Sequence, residues 1–221
     1  MLTPDLRVLD VACGQGASAI HIAETFGCAV VGMDYSEESI KRANLLATER
    51  DISQRVRFER GDSERLPFDD ASFDAIICEC AFCTFPNKTA AAREFIRVLK
   101  PDGRVGLSDI TRARELPADL KTLMAWVACI ADAQPAEKYA DLLTDAGFRI
   151  DCIEKHDDAL KEMVHQIRMK LLGLEIAVGL EKLKLPDLDL TAARQLSASA
   201  LHALSQRQLG YAIVTAAKPL P

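Results

Sequence analysis

Short apolar runs alternate with amphipathic stretches from the first residues onward. Arg7-Val8-Leu9-Asp10-Val11 reads as a buried strand, and after Cys13-Gly14-Gln15-Gly16 the spacing turns helical through Ala17–Phe26. Ala29-Val30-Val31-Gly32-Met33 predicts a second strand. Ser36 then stands as an N-cap, with Glu37 and Glu38 placed to favour the positive end of a helix dipole. Further strands are predicted at Val56–Glu59, Phe73–Cys78 and Arg104–Ser108, with a helix at Lys88–Leu99 ended by Pro101-Asp102-Gly103. Repeated strand–helix–strand units imply a parallel sheet with helices on both faces.

The later chain is less regular. Leu120–Ile130 and Ala136–Ala146 have helical spacing, and Gly147–Asp151 begins a sixth strand. Asp157–Leu183 and Ala192–Gln206 are helical before a last strand at Tyr211–Ala216. The stretch between the last two strands, 152–208, is long for a connection and predicts a helical flap over one end of the sheet. The whole of 1–221 reads as a single domain: an α/β, three-layer αβα sandwich on a seven-stranded, mostly parallel sheet.

Composition narrows the partners. Of 221 residues, 49% are hydrophobic and 27% charged, and the formal net charge is -6 without a block of consecutive basic residues. A polyanion-binding surface has the opposite balance, so no nucleic-acid substrate is expected. No apolar run is long enough to span a bilayer, and Met1–Asp5 lacks the regions of a signal peptide. Seven cysteines at irregular spacing suit reduced thiols in a cytoplasmic enzyme.

Three sites fall at the carboxyl ends of predicted segments, where open parallel sheets bind ligands. The first is Asp10-Val11-Ala12-Cys13-Gly14-Gln15-Gly16, whose glycines let backbone approach a ligand closely. The second is Asp34, a carboxylate suited to two ribose hydroxyls. Both would serve a nicotinamide enzyme, but that fingerprint continues to a third glycine where this chain has Ala19. The third is Gly61-Asp62-Ser63-Glu64-Arg65-Leu66-Pro67-Phe68, followed by Asp69–Asp74. Together the three resemble the class I S-adenosylmethionine-dependent methyltransferases, in order and at that family's spacing over nearly the whole chain. The resemblance implies a Rossmann-like fold with S-adenosylmethionine as cofactor. Asp10, Ala12, Gly14 and Gly16 would surround its methionine part, Asp34 its ribose, Tyr35 its adenine face, and Asp62 and Ser63 its adenine edge. Ala12 departs from the glycine usual at that position.

The acceptor is less determined. His21, His156, His165 and His202 read as ordinary histidines rather than bases, and the Asp-Pro-Pro-Tyr type of box is absent. Cys78-Glu79-Cys80-Ala81-Phe82-Cys83 follows the fourth strand instead, and Trp126-Val127-Ala128-Cys129-Ile130-Ala131-Asp132-Ala133 comes later. These stretches are similar to the arsenite methyltransferases. That resemblance implies that Cys80 and Cys129 act as catalytic thiols holding a soft acceptor, trivalent arsenic or a similar thiophilic centre, with Cys13, Cys78 or Cys83 as a third. Glu79 replaces that family's asparagine, Cys83–Pro86 its Asn-Leu segment, and its N-terminal extension is absent. The alternatives are an organic small-molecule acceptor, methylated at C, O, N or S, and a silent cofactor-binding partner subunit, motivated by the short N-terminus. The lone Cys80-x-x-Cys83 pair does not predict a metal site. Met163–Met169 with Leu171 and Leu172 reads as a packing helix or as a roof over the acceptor.

Overall fold

The computed structural model describes residues 2–122, 124–125, 128–180 and 189–220. Seven strands form one sheet: β1 (Arg7–Val11), β2 (Ala29–Asp34), β3 (Val56–Arg60), β4 (Phe73–Glu79), β5 (Leu99–Arg112), β6 (Arg149–Lys155) and β7 (Leu209–Ala217). Their order is β3-β2-β1-β4-β5-β7-β6. The first five pair in parallel, and β7 lies antiparallel between β5 and β6. The chain winds one way from β1 through β2 to β3 and then the other way from β4. This reversal opens a crevice at the carboxyl ends of β1 and β4.

Helices cover both faces. On one, α1 (Ala17–Phe26) and α2 (Glu37–Glu49) bury Ala19, Ile20, Ala23 and Ala43 against Val8, Val30, Val56 and Phe58. On the other, α3 (Lys88–Val98) and α4 (Ala136–Asp145) bury Phe95, Tyr139 and Leu143 against Leu9, Val31, Ile76 and Leu107. Phe82 contacts Phe85, Phe95 and Tyr139 at ring centroid separations of 5.6, 5.9 and 6.0 Å. It thereby anchors the turn after β4 to this second face. Ser36 and Asn87 cap α2 and α3 as acceptors of the Ser39 and Ala90 amides.

Two predicted elements differ in the fold. β5 extends well past the expected Arg104–Ser108, because Asp109–Arg112 pair with Leu209–Ala212 of β7, a partner remote in sequence. The helix expected over Leu120–Ile130 is not continuous. Ala118–Leu120 forms a 3-10 turn, and Cys129 takes a left-handed φ of 61°. The Ile130 amide reaches back to the Ala125 carbonyl at 2.8 Å, the bond that closes a helical turn at a left-handed residue. Leu123, Trp126 and Val127 of that expected helix lie outside the described residues, as does the expected end of the flap's first helix at Leu183.

The flap consists of α5 (Asp157–Gly179) and α6 (Leu190–Ser205). Leu160, Val164, Ala200 and Ala203 pack with Ile110, Leu116, Leu120 and Ile130, so the helices seat the 113–135 segment on the carboxyl edge of β5. Only the first turns of α5 do this. Met169, Leu172 and Ile176 farther along remain exposed.

The loop after β3 is held by side chains from α3 that carry no motif. Arg97 donates to the carbonyls of Leu66 and Phe68 at 3.0 and 2.7 Å and pairs with Glu94 and Asp70. Glu94 in turn accepts the Leu66 amide at 2.8 Å. Arg97→Ala removes several charge-assisted bonds from a partly buried position and should cost about 2 kcal/mol of stability. Urea denaturation checks this, and a change within about 0.5 kcal/mol would mean that the loop holds itself.

Candidate active site

The turn from β1 into α1 contains three left-handed residues, Ala12, Gly14 and Gly16, at φ 58°, 53° and 83°. They are left-handed for different reasons. A Cβ on Gly16 would overlap the Phe58 ring and touch Ala43, so this glycine serves helix–sheet packing. A Cβ on Gly14 would meet nothing within 4 Å, so its bare backbone faces open space. Ala12 carries a left-handed strain of about 1 kcal/mol that glycine would not.

Asp34, at the end of β2, closes this turn. Its Oδ2 accepts the Gly14 amide at 2.9 Å and its Oδ1 the Ser36 amide at 2.8 Å. Each oxygen retains a lone pair for a further donor. Beyond it Tyr35 is 71% exposed, with the Arg60 guanidinium 5.5 Å from its ring centroid and donating to its carbonyl. Gly61, at the end of β3, donates to the Asp34 carbonyl at 3.0 Å, and Asp62 accepts the Glu64 amide at 2.9 Å. Asp62 is exposed and Ser63 half-buried on the same loop. These are the residues expected at the adenine edge, and the fold brings them to the same crevice as Asp34.

Asp10 is the most perturbed carboxylate that faces the glycine turn. It is 2% exposed, and its Oδ2 has no hydrogen-bond partner among the described residues. Burial pushes its carboxyl up to about 8, reinforced by the neighbouring charge of Glu79 and, more weakly, of Asp34. Glu79 ends β4 and accepts the Ser18 hydroxyl at 2.6 Å. The sequence motifs did not single out Glu79, because its role depends on β4 lying beside β1. Glu79 and Asp34 bring negative charge beside one bare turn, and the orphaned Asp10 oxygen is a buried polar atom that a ligand's donor can satisfy.

The model of the Methyltransferase domain family matches residues 2–166. The chain belongs to this family. S-adenosylmethionine is the family's methyl donor, and the site fits it: its positive charge suits Glu79 and Asp34, its donors suit the unpartnered Asp10 oxygen, and Gly14 leaves room for close approach. Among relatives, the methyltransferase is 29% identical to 27-O-demethylrifamycin SV methyltransferase of Amycolatopsis mediterranei over 217 residues, covering 96% of this chain and 77% of that one. It matches the structure of the [4+2]-cyclase SpnF with a TM-score of 0.80 and 26% identity, over 100% of this chain and 77% of the other. Phosphoethanolamine N-methyltransferase 2 of Haemonchus contortus, solved with phosphomonomethylethanolamine and S-adenosylhomocysteine, shares the fold. Its TM-score is 0.83 and its identity 20%, over 99% of this chain and 50% of that one. A cyclase on the same fold shows that the scaffold by itself does not dictate the reaction.

Cys80, Cys83 and Cys129 of the methyltransferase lie together beyond the carboxyl end of β4. Cys80 follows Glu79 in a left-handed conformation, φ 50°, with its amide on the Ser108 carbonyl at 2.8 Å. Its sulfur lies 3.4 Å from the Tyr211 hydroxyl. The Cys129 sulfur donates to the Cys80 carbonyl at 2.7 Å, so the two expected catalytic residues are adjacent. The thiol that couples to Cys129, however, is Cys83. The proximity of the two sulfurs holds Cys129 below the usual thiol value, while the same proximity and burial push Cys83 up. Burial raises Cys80 to about 11. Two non-glycine residues in left-handed backbone facing each other is a costly arrangement of the kind that concentrates at functional sites.

A groove of about 490 Å³ opens beside Glu79, between α1 and the β4–β5–β7 face, lined by Ser18, His21, Ile77, Ser108 and Ile213. A larger cavity, about 740 Å³, lies between the end of β5 and the flap and holds none of the expected cofactor residues. Among the described residues, no helix is long and apolar enough to cross a membrane.

The glycine geometry separates two effects. Gly14→Ala should cost roughly 1–2 kcal/mol of stability, the left-handed penalty alone, yet reduce cofactor affinity about tenfold or more. Gly16→Ala should cost more stability, because Phe58 must move. Calorimetric binding and denaturation of the two variants check this, and a Gly14→Ala protein that binds like the wild type would refute the close-approach role.

Asp10 makes a second, pH-dependent prediction. Its value near 8 in the folded chain, against about 3.9 unfolded, means that the native state holds the extra proton between these limits. The stabilising contribution of that proton is complete below about pH 4 and declines as pH rises toward 8. Melting temperatures of the cofactor-free protein should therefore fall over this window more steeply than those of Asp10→Asn. Parallel profiles would show that Asp10 ionises normally.

Proposed function

We propose that the enzyme transfers the methyl group of S-adenosylmethionine to a small organic molecule seated at the carboxyl edge of β4 and β5, with Cys80 and Cys129 touching the acceptor. The observation that supports this most is the clustering of Cys80, Cys129 and Tyr211 beside Glu79, where the acidic crevice meets the 113–135 segment. The name of the rifamycin-modifying relative, which aligns over nearly the whole chain, agrees with an organic acceptor.

The cofactor supplies an electrophilic methyl on a positively charged sulfur. Asp34 would take the ribose hydroxyls while keeping the Gly14 turn closed, Tyr35 would cover the adenine face, and Asp62 and Ser63 would accept and donate at its edge. Glu79 would oppose the cofactor's positive charge, and the unpartnered Asp10 oxygen would accept from one of its donors. Cys80 and Tyr211 both titrate above their ordinary values through burial, so neither holds a free base at neutral pH. The chain's contribution is then alignment and exclusion of water rather than proton abstraction.

A soft, trivalent acceptor such as arsenite is the second reading, and one observation favours it: Cys129 is drawn toward its thiolate form beside Cys80. Labelled cofactor should separate the two. An organic acceptor predicts label in hydroxylated or aminated small molecules and none with arsenite. Cys80→Ala and Cys129→Ala should then lower kcat/KM about tenfold, roughly 1.4 kcal/mol of transition-state stabilisation. Under the soft-acceptor reading arsenite turns over, and phenylarsine oxide titrates one tight site that both variants lose. Turnover with neither class would exclude both acceptor assignments.

A further inference from the structure

The sulfur of Cys83, the sulfur of Cys129 and a carboxylate oxygen of Asp109 all lie within 4.8 Å of one another. It is the one grouping of three such ligand atoms found among the described residues. The three come from separate elements: Cys83 from the 3-10 turn after β4, Asp109 from β5, and Cys129 from the 113–135 segment. The geometry points to a binding site for a soft divalent cation of the zinc–cadmium class at Cys83, Asp109 and Cys129, next to the acceptor mouth and distinct from the Cys80–Cys129 contact.

Three arguments carry this. The first is ligand chemistry, since two thiolates and a carboxylate suit a d10 cation that is soft and has no directional demand. In a tetrahedral zinc site, sulfurs 2.3 Å from the metal are about 3.8 Å apart, so atoms within 4.8 Å need only a small contraction.

The second is charge. Asp109 is fully buried, and its oxygens accept only the amides of Cys83 and Ile110, at 2.8 Å each, besides the Cys83 thiol. The cation nearest in the network, Lys88, is engaged by Asp132 at 2.6 Å and by the Phe85 carbonyl at 3.0 Å. Among the described residues this buried carboxylate faces two thiols and no cation of its own, an expensive arrangement that direct coordination to a divalent ion relieves. Binding displaces the two thiol protons, so the net charge of the site is unchanged while the Asp109 oxygen gains a cation as its direct partner.

The third is preorganisation. The two amides orient Asp109, and the Cys83 sulfur already reaches the Cys129 carbonyl at 3.5 Å. The 113–135 segment is tied down independently. Tyr139 donates to the Ile110 carbonyl and accepts the Gln134 amide at 3.2 and 3.0 Å, while Lys88 holds Asp132. The ligands are therefore positioned before any ion arrives, and an ion would staple the segment bearing Cys129 to the sheet.

The test uses the full-length, cofactor-free protein, kept reduced by a phosphine, titrated with cadmium chloride. The expected result is one equivalent bound by dialysis, with an ultraviolet thiolate-to-cadmium charge-transfer band and a higher melting temperature. Cys83→Ala and Cys129→Ala should each weaken binding about a hundredfold, roughly 2.8 kcal/mol. Cys80→Ser and the exposed Cys152→Ser should bind as the wild type does. Retained binding in Cys83→Ala, or loss in Cys80→Ser, overturns the assignment and places the ion elsewhere. Because a core variant can misfold, X-ray absorption of the zinc-loaded wild type supplies a second criterion: a shell with two sulfurs and light atoms supports the site, and a shell without sulfur overturns it. Neither readout involves methyl transfer, so the result is independent of which acceptor the enzyme uses.

Discussion

The Asp34 carboxylate joins two strand ends into one site. Its oxygens accept one amide from the turn after β1 and one from the turn after β2, so the glycine turn and the start of α2 are fixed relative to each other. Both bonds are charge-assisted and need β1 and β2 in parallel register, which places Val11 opposite Met33. The neighbouring loop inherits the same reference, because the Gly61 amide rests on the Asp34 carbonyl. The groups expected around the ribose and adenine are therefore tied to one residue at the end of one strand, through its carboxylate and its backbone carbonyl.

The same crevice concentrates what elsewhere in the core is avoided. Asp10 is buried without a full set of partners, Glu79 adds a like charge, and Ala12 and Cys80 occupy backbone regions that disfavour a Cβ. Such departures persist only where the surroundings over-determine them. Here the determinants are the two apolar faces, in which Phe58 on one side and Phe82 on the other fix the flanking turns.

The acceptor side is built on another principle. Its components are not consecutive in sequence. Cys80 and Cys83 follow β4, Asp109 and Tyr211 lie on antiparallel neighbours, and Cys129 is carried in by a segment whose apolar residues pack under α5 and α6.

By itself the sequence determined the strand–helix alternation, the glycine turn, Asp34 and the Gly61-Asp62 loop. Each of these is local: periodicity, caps and short-range turn chemistry act within a few residues and leave a readable pattern. The class of fold followed from that pattern, and the cofactor from the resemblance of these motifs to the class I methyltransferases. Tertiary structure alone decided that Glu79 stands against Asp10, that Arg97 and Glu94 hold the loop after β3, and that β5 runs on to Arg112 along β7. It also decided that Cys129 meets the Cys80 backbone yet couples its proton to Cys83, and that Gly14 faces space while Gly16 faces Phe58. These are contacts between segments far apart along the chain. Their energies depend on distance and burial, which no periodicity encodes, so they exist only once the sheet has brought the segments together.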